Sequence, residues 1–226
     1  MKTFVYFFFF AVSIFAHAEA SKNIPQVLLF VQSTNVDPTE LNTDLTAKGI
    51  KKFDKFYGLG MEVSHPIIPR FNLGARVSLH YNSMNELNRH SVTNPYYSTI
   101  AQYRGAAVAR IGVVQTPLMR IDVLGGAGLS SAKLTTYSSS GTTTVDDGYS
   151  KDQFGNFYSF YGGSVALGWK QFFVVTEAGF ENNKVKNLKD TTTGQNSAIK
   201  ALDLSGGYFS IGLMWGSPGA KAVSSK

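Results

Sequence analysis

Ser78 and His80 stand two residues apart, with Asn82 two further on. A hydroxyl, an imidazole and a polar group able to orient it are the minimum set for acyl transfer. The same stretch strictly alternates, however. Phe71, Leu73, Ala75, Val77, Leu79 and Tyr81 share one parity, and Asn72, Gly74, Arg76, Ser78, His80 and Asn82 the other. Successive side chains of a strand point to opposite faces, so any polar strand face sets such groups at i, i+2 and i+4. The spacing is therefore weak evidence for catalysis, and no catalytic residue is assigned.

A second chemistry is ionic. The polar parity of this and neighbouring segments carries Arg76, Arg104 and Arg110 against Glu62, Asp122, Glu177 and Glu181, with His80 toward one end. Charges of both signs in near balance on one confined face are expected to pair, because an unpaired buried charge is costly. The favoured reading is a structural ion-pair network that plugs a polar interior. The alternative is a gated narrow conduit in which the pairs rearrange. No cofactor is implied. His17, His65, His80 and His90 are too scattered for a metal site, and Gly125-Gly126-Ala127-Gly128 lies within a strand pattern, not at the strand-to-helix turn of a phosphate loop.

The elements that must position these groups are strands. The chain of 226 residues opens with Lys2, an apolar run from Phe4 to Ala16 and small-x-small triplets ending at Ala18 and Ala20. This predicts a secretory leader over residues 1–20, cleaved after Ala18 or Ala20. A spanning helix needs about 20 apolar residues, and no later stretch approaches that length. The expected organisation is a β domain over 21–216 and a tail over 217–226.

Alternation predicts eight strands, roughly Pro25 to Ser33, Phe56 to His65, Arg70 to Asn82, Ile100 to Val114, Arg120 to Lys133, Phe157 to Lys170, Phe172 to Val185 and Ala201 to Trp215. Their connections sort into short ones (His65 to Arg70, Gln115 to Met119, Lys170-Gln171) and long ones (34–55, Ser83 to Thr99, Thr135 to Asn156, Lys186 to Lys200). Short turns at one end and long loops at the other are the signature of an outer-membrane barrel. In the last strand, Leu202 and Leu204 lie on the opposite parity from Phe209, Ile211, Leu213 and Trp215, which predicts a bulge or kink at Gly206-Gly207. The fold class is all-β, an eight-stranded antiparallel up-and-down transmembrane β-barrel.

Phe71, Trp169, Phe172 and Trp215 fall beside the short turns and are expected to form an aromatic girdle. Within the first long loop, Asp37 as N-cap, Pro38, Leu41, Leu45 and Gly49 mark a short helix laying its leucines over the rim. Lysines gather on the long-loop side, and Lys51, Lys52, Lys55, Lys184 and Lys186 are either solvated or placed to meet lipopolysaccharide phosphates. Net charge is +6 and the pI about 9.4, but an exported barrel has no access to nucleic acid. Cysteine is absent, so no disulfide framework exists.

Leader, strand count, loop sorting, interior Arg and Glu, and the closing run Gly206-Gly207-Tyr208-Phe209-Ser210-Ile211-Gly212-Leu213-Met214-Trp215 together resemble the small outer-membrane barrels of the OmpA-barrel, OmpX and OmpW superfamily. The resemblance spans nearly the whole mature chain. It implies a monomeric envelope protein acting through its loops, in membrane integrity, surface adhesion or interaction with another cell. The chain is accordingly read as an envelope scaffold and surface-interaction protein, with a surface ligand or another cell as partner, and as no enzyme. The resemblance also implies that Trp215 is read by the barrel-assembly machinery. Two departures stand against that last point: the chain continues past Trp215, and Ser210 replaces a usual glycine. A narrow channel for a small or apolar molecule is the second functional reading, and a lipid-modifying acyl-transfer enzyme the third.

Overall fold

The computed structural model describes residues 25–47, 52–81, 97–138, 141–146, 156–169, 171–186, 188–190, 193 and 199–216. The leader, Gly49, Lys51, Asn82 and the tail lie outside the described residues. The elements are β1 (Gln26–Asn35), α1 (Thr39–Ala47), β2 (Lys55–Ile68), β3 (Phe71–Tyr81), β4 (Tyr97–Gln115), β5 (Met119–Ser138), β6 (Gly141–Asp146), β7 (Asn156–Trp169), β8 (Phe172–Lys186), β9 (Lys189–Asp190), β10 (Ala201–Asp203) and β11 (Gly206–Trp215).

Each of β1, β2, β3, β4, β5, β7, β8 and β11 pairs antiparallel with the next, and β11 returns onto β1 from Val27↔Trp215 to Thr34↔Tyr208. The result is a closed eight-stranded up-and-down barrel. Closure satisfies the backbone groups that an open sheet would leave at its edges. Short turns at Pro69–Arg70, Thr116–Leu118 and Gln171 share one end with residues 25 and 216. Arg70 takes a left-handed φ of 68°, as the second residue of a two-residue turn after proline often must.

Two boundaries differ from the sequence reading. Thr135 to Asn156 was expected to be loop, yet β5 continues to Ser138 and turns back as β6, which pairs with β9. Threonine favours strands, but this stretch has no apolar face, so alternation gives no contrast to detect. In the last strand, the chain breaks at Leu204-Ser205 rather than at Gly206-Gly207. Leu204 N donates to Asn183 O at 2.9 Å, while Asn183 N is taken by Ser205 Oγ at 2.9 Å. The pairing nevertheless keeps register, from Asp203↔Lys184 to Gly206↔Glu181. No phase slip occurs: Leu202 and Leu204 are buried on the same inward parity as Tyr208, Ser210 and Met214. What changes along the strand is the chemistry of the interior.

That upper interior is apolar. Leu41 and Leu45 of α1 pack with Phe53, Phe56, Ile100, Leu134, Val185, Leu188, Leu202 and Leu204 at the long-loop end. The helix does more than cover the rim; its two leucines are part of this core. Asn42 fastens it, with Nδ2 donating to Phe53 O at 3.0 Å and Oδ1 accepting from Phe53 N at 2.7 Å. Asp37 lies just before the helix and accepts from Asn42 Nδ2 at 2.8 Å. Glu40 Oε2 accepts from the backbone N–H of Lys200 at 2.8 Å and of Ala201 at 3.1 Å, tying the first long loop to the last.

The outer wall is a belt of exposed aliphatic side chains, with Leu29, Leu59, Leu73, Ile111, Val123, Leu167, Val174 and Leu213 drawn from successive strands. Val63 and Ala75, a facing pair on the outward parity, are buried. Trp169 (70% exposed), Phe172 (71%) and Trp215 stand outward at the short-turn end, with Phe71 half-buried beside them. Tyr57, Tyr81, Tyr103, Tyr161 and Phe180 stand outward toward the long loops.

Candidate functional site

The inward faces of β2, β3, β4 and β8 converge on one ionic cluster. Arg76 donates to Glu62 Oε2 from Nε at 2.9 Å and Nη2 at 2.6 Å, and from Nη2 to Glu177 Oε2 at 2.8 Å. Arg110 donates from Nε to Glu62 Oε1 at 2.5 Å, from Nη2 to Glu62 Oε2 at 2.8 Å and to Glu177 Oε1, and from Nη1 to Ser164 Oγ at 3.2 Å. Glu62 and Arg76 face each other across adjacent strands. β3 and β8 are four strands apart around the ring, so the Arg76–Glu177 bridge crosses the full bore. All four side chains are almost wholly buried.

Toward the long loops, Arg104 Nη1 bridges to Glu181 Oε2 at 2.8 Å, and Gln32 Nε2 donates to the same oxygen at 2.9 Å. Toward the short turns, Arg120 Nε meets Asp122 Oδ1 at 2.6 Å and its Nη1 meets Gln26 Oε1 at 3.0 Å. The buried charges therefore balance, Arg76, Arg104, Arg110 and Arg120 against Glu62, Asp122, Glu177 and Glu181. Aromatic rings pack against the guanidinium groups. The Arg76 guanidinium lies 4.7 Å from the Phe30 ring centroid and 4.8 Å from that of Phe160, and Arg104 lies 5.1 Å from Tyr158. A cation over an aromatic face is attracted by the ring quadrupole. Leu28, Phe30, Phe173, Val175 and Met214 then form an apolar layer nearer the short turns.

Sequence reasoning missed Arg120 and the inward aromatics. Arg120 has the parity of Asp122 and was legible as inward, but it sat at an expected strand start. Phe30 lies in Val27-Leu28-Leu29-Phe30-Val31, where both faces are apolar and alternation is silent.

Ser78 and His80 are brought together, Nε2 to Oγ at 3.0 Å. His80 is fully buried against Phe56, ring centroids 5.5 Å apart, and its Nδ1 has no hydrogen-bond partner among the described residues. Among the described residues the imidazole has no orienting group of the kind a general base needs, and its burial leaves an ester no exposed approach to it. Among the described residues no cluster of His, Cys, Asp or Glu is arranged to hold a metal.

The Lys52, Lys55 and Lys186 side chains are exposed at the long-loop end, and Lys184 is half-exposed with Nζ 3.8 Å from Asp203 Oδ2. Surface pairs of this kind contribute about 0–1 kcal/mol.

No protein-family model and no curated protein matches the chain. Among solved structures it is similar to Ail, the attachment invasion locus protein of Yersinia pestis, with a TM-score of 0.52 and 11% identity, covering 86% of this chain and 99% of that one. The fold is that of the small eight-stranded outer-membrane β-barrels. Two further solved structures are Neisserial surface protein A (TM-score 0.44, 10% identity, 84% of this chain and 96% of that one) and the outer membrane protease OmpT of Escherichia coli (0.33, 9%, 86% and 97%). At 11% identity, the likeness to Ail establishes this barrel's architecture and nothing finer.

Proposed function

We propose that this chain is an outer-membrane protein with a solid interior, exported by its leader, that acts as an envelope scaffold and surface-interaction protein through the end bearing its long loops. The observation that carries this reading is the Arg76–Glu177 bridge across the bore, with the Glu62–Arg110 pair beside it and the apolar cluster of Leu41, Leu45 and Phe53 above. An eight-stranded barrel is just wide enough for side chains to fill, and here ion pairs and rings fill it. What such a molecule does must be done on its surface.

The outward belt supports the membrane setting. Soluble monomers seldom expose contiguous apolar patches beyond a few hundred Å², and an encircling aliphatic band between two aromatic fringes matches a bilayer. The partners proposed are lipopolysaccharide, met by Lys51, Lys52, Lys55, Lys184 and Lys186; the assembly machinery, reading Trp215; and a ligand or cell surface at the long loops. Ail is named for attachment and invasion, and a surface-contact role here is consistent with a shared architecture. The chain is read as a non-enzymatic monomer.

Planar-bilayer conductance of the refolded protein tests the plugged interior. Wild type is expected to be electrically silent while migrating on gels as a heat-modifiable, folded species. Discrete openings that change in Arg76→Ala or Glu177→Ala variants would replace this reading with a narrow conduit.

The membrane setting has its own test. The only tryptophans are Trp169 and Trp215, both outward at the short-turn end. In vesicles, their fluorescence is expected to be quenched most by lipids brominated near the headgroup and least by lipids brominated at the chain terminus. Equal quenching at all depths, or none, would count against the girdle.

A further inference from the structure

The outer wall is not uniform. Along β1, at its long-loop half, one outward rung reads Phe209–Ser33–Tyr57 across β11, β1 and β2, so a serine stands between two aromatic side chains. The next rung toward the short turns reads Ile211–Val31–Leu59. Phe209 and Tyr57 project while Ser33 does not, and the result is an apolar furrow of 710 Å³ with Ser33 and Val31 as its floor. One rung above, β1 and β2 place Asn35 beside Lys55, and β11 has only Gly207. Among the described residues the furrow is therefore open at its upper end, and Lys55, exposed and without an ion pair among them, stands over the opening.

We infer that this furrow is a seat for a single lipid molecule, in which one acyl chain of lipopolysaccharide lies along β1 and a phosphate of its head meets Lys55. The inference rests on the membrane reading above and deepens it by naming one lipid site. Charge placement selects the occupant. The cation and the amide of Asn35 stand at the mouth, and the channel below is mostly aliphatic and aromatic and carries no charged residue, with Ser33 and Gln32 its polar exceptions, as an anionic amphiphile requires. From Lys55 to Leu59 is about 14 Å at ~3.4 Å per residue, a length of wall that a chain can follow without meeting a second charge. The long-loop end is the leaflet that carries lipopolysaccharide in the proposed orientation. In the bilayer the acyl chain is already out of water, so what the furrow adds over the general annulus is closer van der Waals contact along its walls, together with the pairing of the phosphate with Lys55.

The test is retention of lipid A by the refolded protein in detergent, measured by native mass spectrometry, for wild type, Ser33→Trp, Lys55→Glu and Ala127→Trp. Ser33→Trp fills the furrow. Ala127→Trp places the same bulk on the outward face of β5, between Ala107 and Ser159 and away from the furrow. Heat-modifiable migration after transfer to vesicles reports folding and insertion for each.

Wild type and Ala127→Trp are expected to retain one lipid A, with Ser33→Trp and Lys55→Glu weaker by about tenfold, equivalent to about 1.4 kcal/mol. Equal retention by Ser33→Trp and Ala127→Trp, both inserted, would overturn the furrow and leave the membrane reading standing. Failure of wild type to insert would overturn both. Phosphatidylglycerol retained as well as lipid A would overturn the choice of occupant.

Discussion

Glu177→Ala is expected to lower the unfolding free energy of the barrel by about 3–5 kcal/mol, the loss seen when one partner of a buried ion pair is removed. Glu177 receives Arg76 Nη2 at 2.8 Å and is also bonded by Arg110, so its loss leaves two buried guanidinium groups sharing Glu62 alone. The excess charge sits between the Phe30 and Phe160 rings, where a replacement hydrogen-bond partner is scarce. The measurement is the urea midpoint of heat-modifiable migration for protein folded in vesicles. Lys184→Ala is the control. It breaks a half-exposed 3.8 Å pair with Asp203 and should change stability by less than about 1 kcal/mol. Arg110→Met combined with Glu177→Leu should recover most of the loss, because removing both charges also removes the desolvation cost of each. A Glu177→Ala change as small as that control would mean that water reaches the bore and screens the arginines.

Gly179→Val is expected to yield no folded barrel. Gly179 faces Gly162 across β8 and β7. A Cβ at 179 would stand 2.1 Å from Tyr161 O and 2.8 Å from the Gly162 Cα, and one at 162 would stand 2.3 Å from Ala178 O. The obstacle is backbone, which cannot turn aside as a side chain can. Glycines inside strands mark such tight bends, and this pair lets the wall curve sharply where β7 meets β8. On the outer face the bend is covered by Tyr161 and Phe180, stacked with centroids 6.3 Å apart and an interplanar angle of 26°. Ala178→Val, one residue away and facing outward, adds similar volume where only lipid or solvent must give way and should fold normally. Heat-modifiable migration after refolding separates the two. A folded Gly179→Val protein would show that the strands can part here without losing closure.

The residues that announced themselves in the sequence are those on strands whose two faces differ. Arg76, Ser78 and His80 could be placed inward because Val77 and Leu79 between them are apolar. The same contrast sorted Glu62, Asp122 and Glu177. Where the inward face is also apolar, alternation carries no information. Leu202 and Leu204 therefore looked like a change of face when they are a change of interior, from the ionic middle to the greasy mouth. Phe30, which helps hold Arg76, was hidden for the same reason. The Thr-rich extension of β5 and β6 failed in the opposite sense, with two polar faces and again no contrast. Partnerships are a further step removed. Parity shows that Arg76 and Glu177 share an interior, but only the closed ring, in which β3 and β8 stand opposite, shows that they meet.

The backbone N–H groups of Lys200 and Ala201 grasped by Glu40 lie 160 and 161 positions further along the chain. This contact sets an order of events. The first long loop emerges early in synthesis, yet its helix gains this anchor only when the segment leading into the last strand arrives. Leu41 and Leu45 must wait as well, since Leu202 and Leu204 form part of their packing surface. Contacts of such long sequence separation are paid for in loop entropy before they are rewarded, and they form slowly. A mouth sealed by such contacts is expected to close late, together with the joining of β11 to β1. Until Leu202 and Leu204 are in place, Leu41 and Leu45 lack part of their packing surface, so a finished lid reports a ring that has already closed.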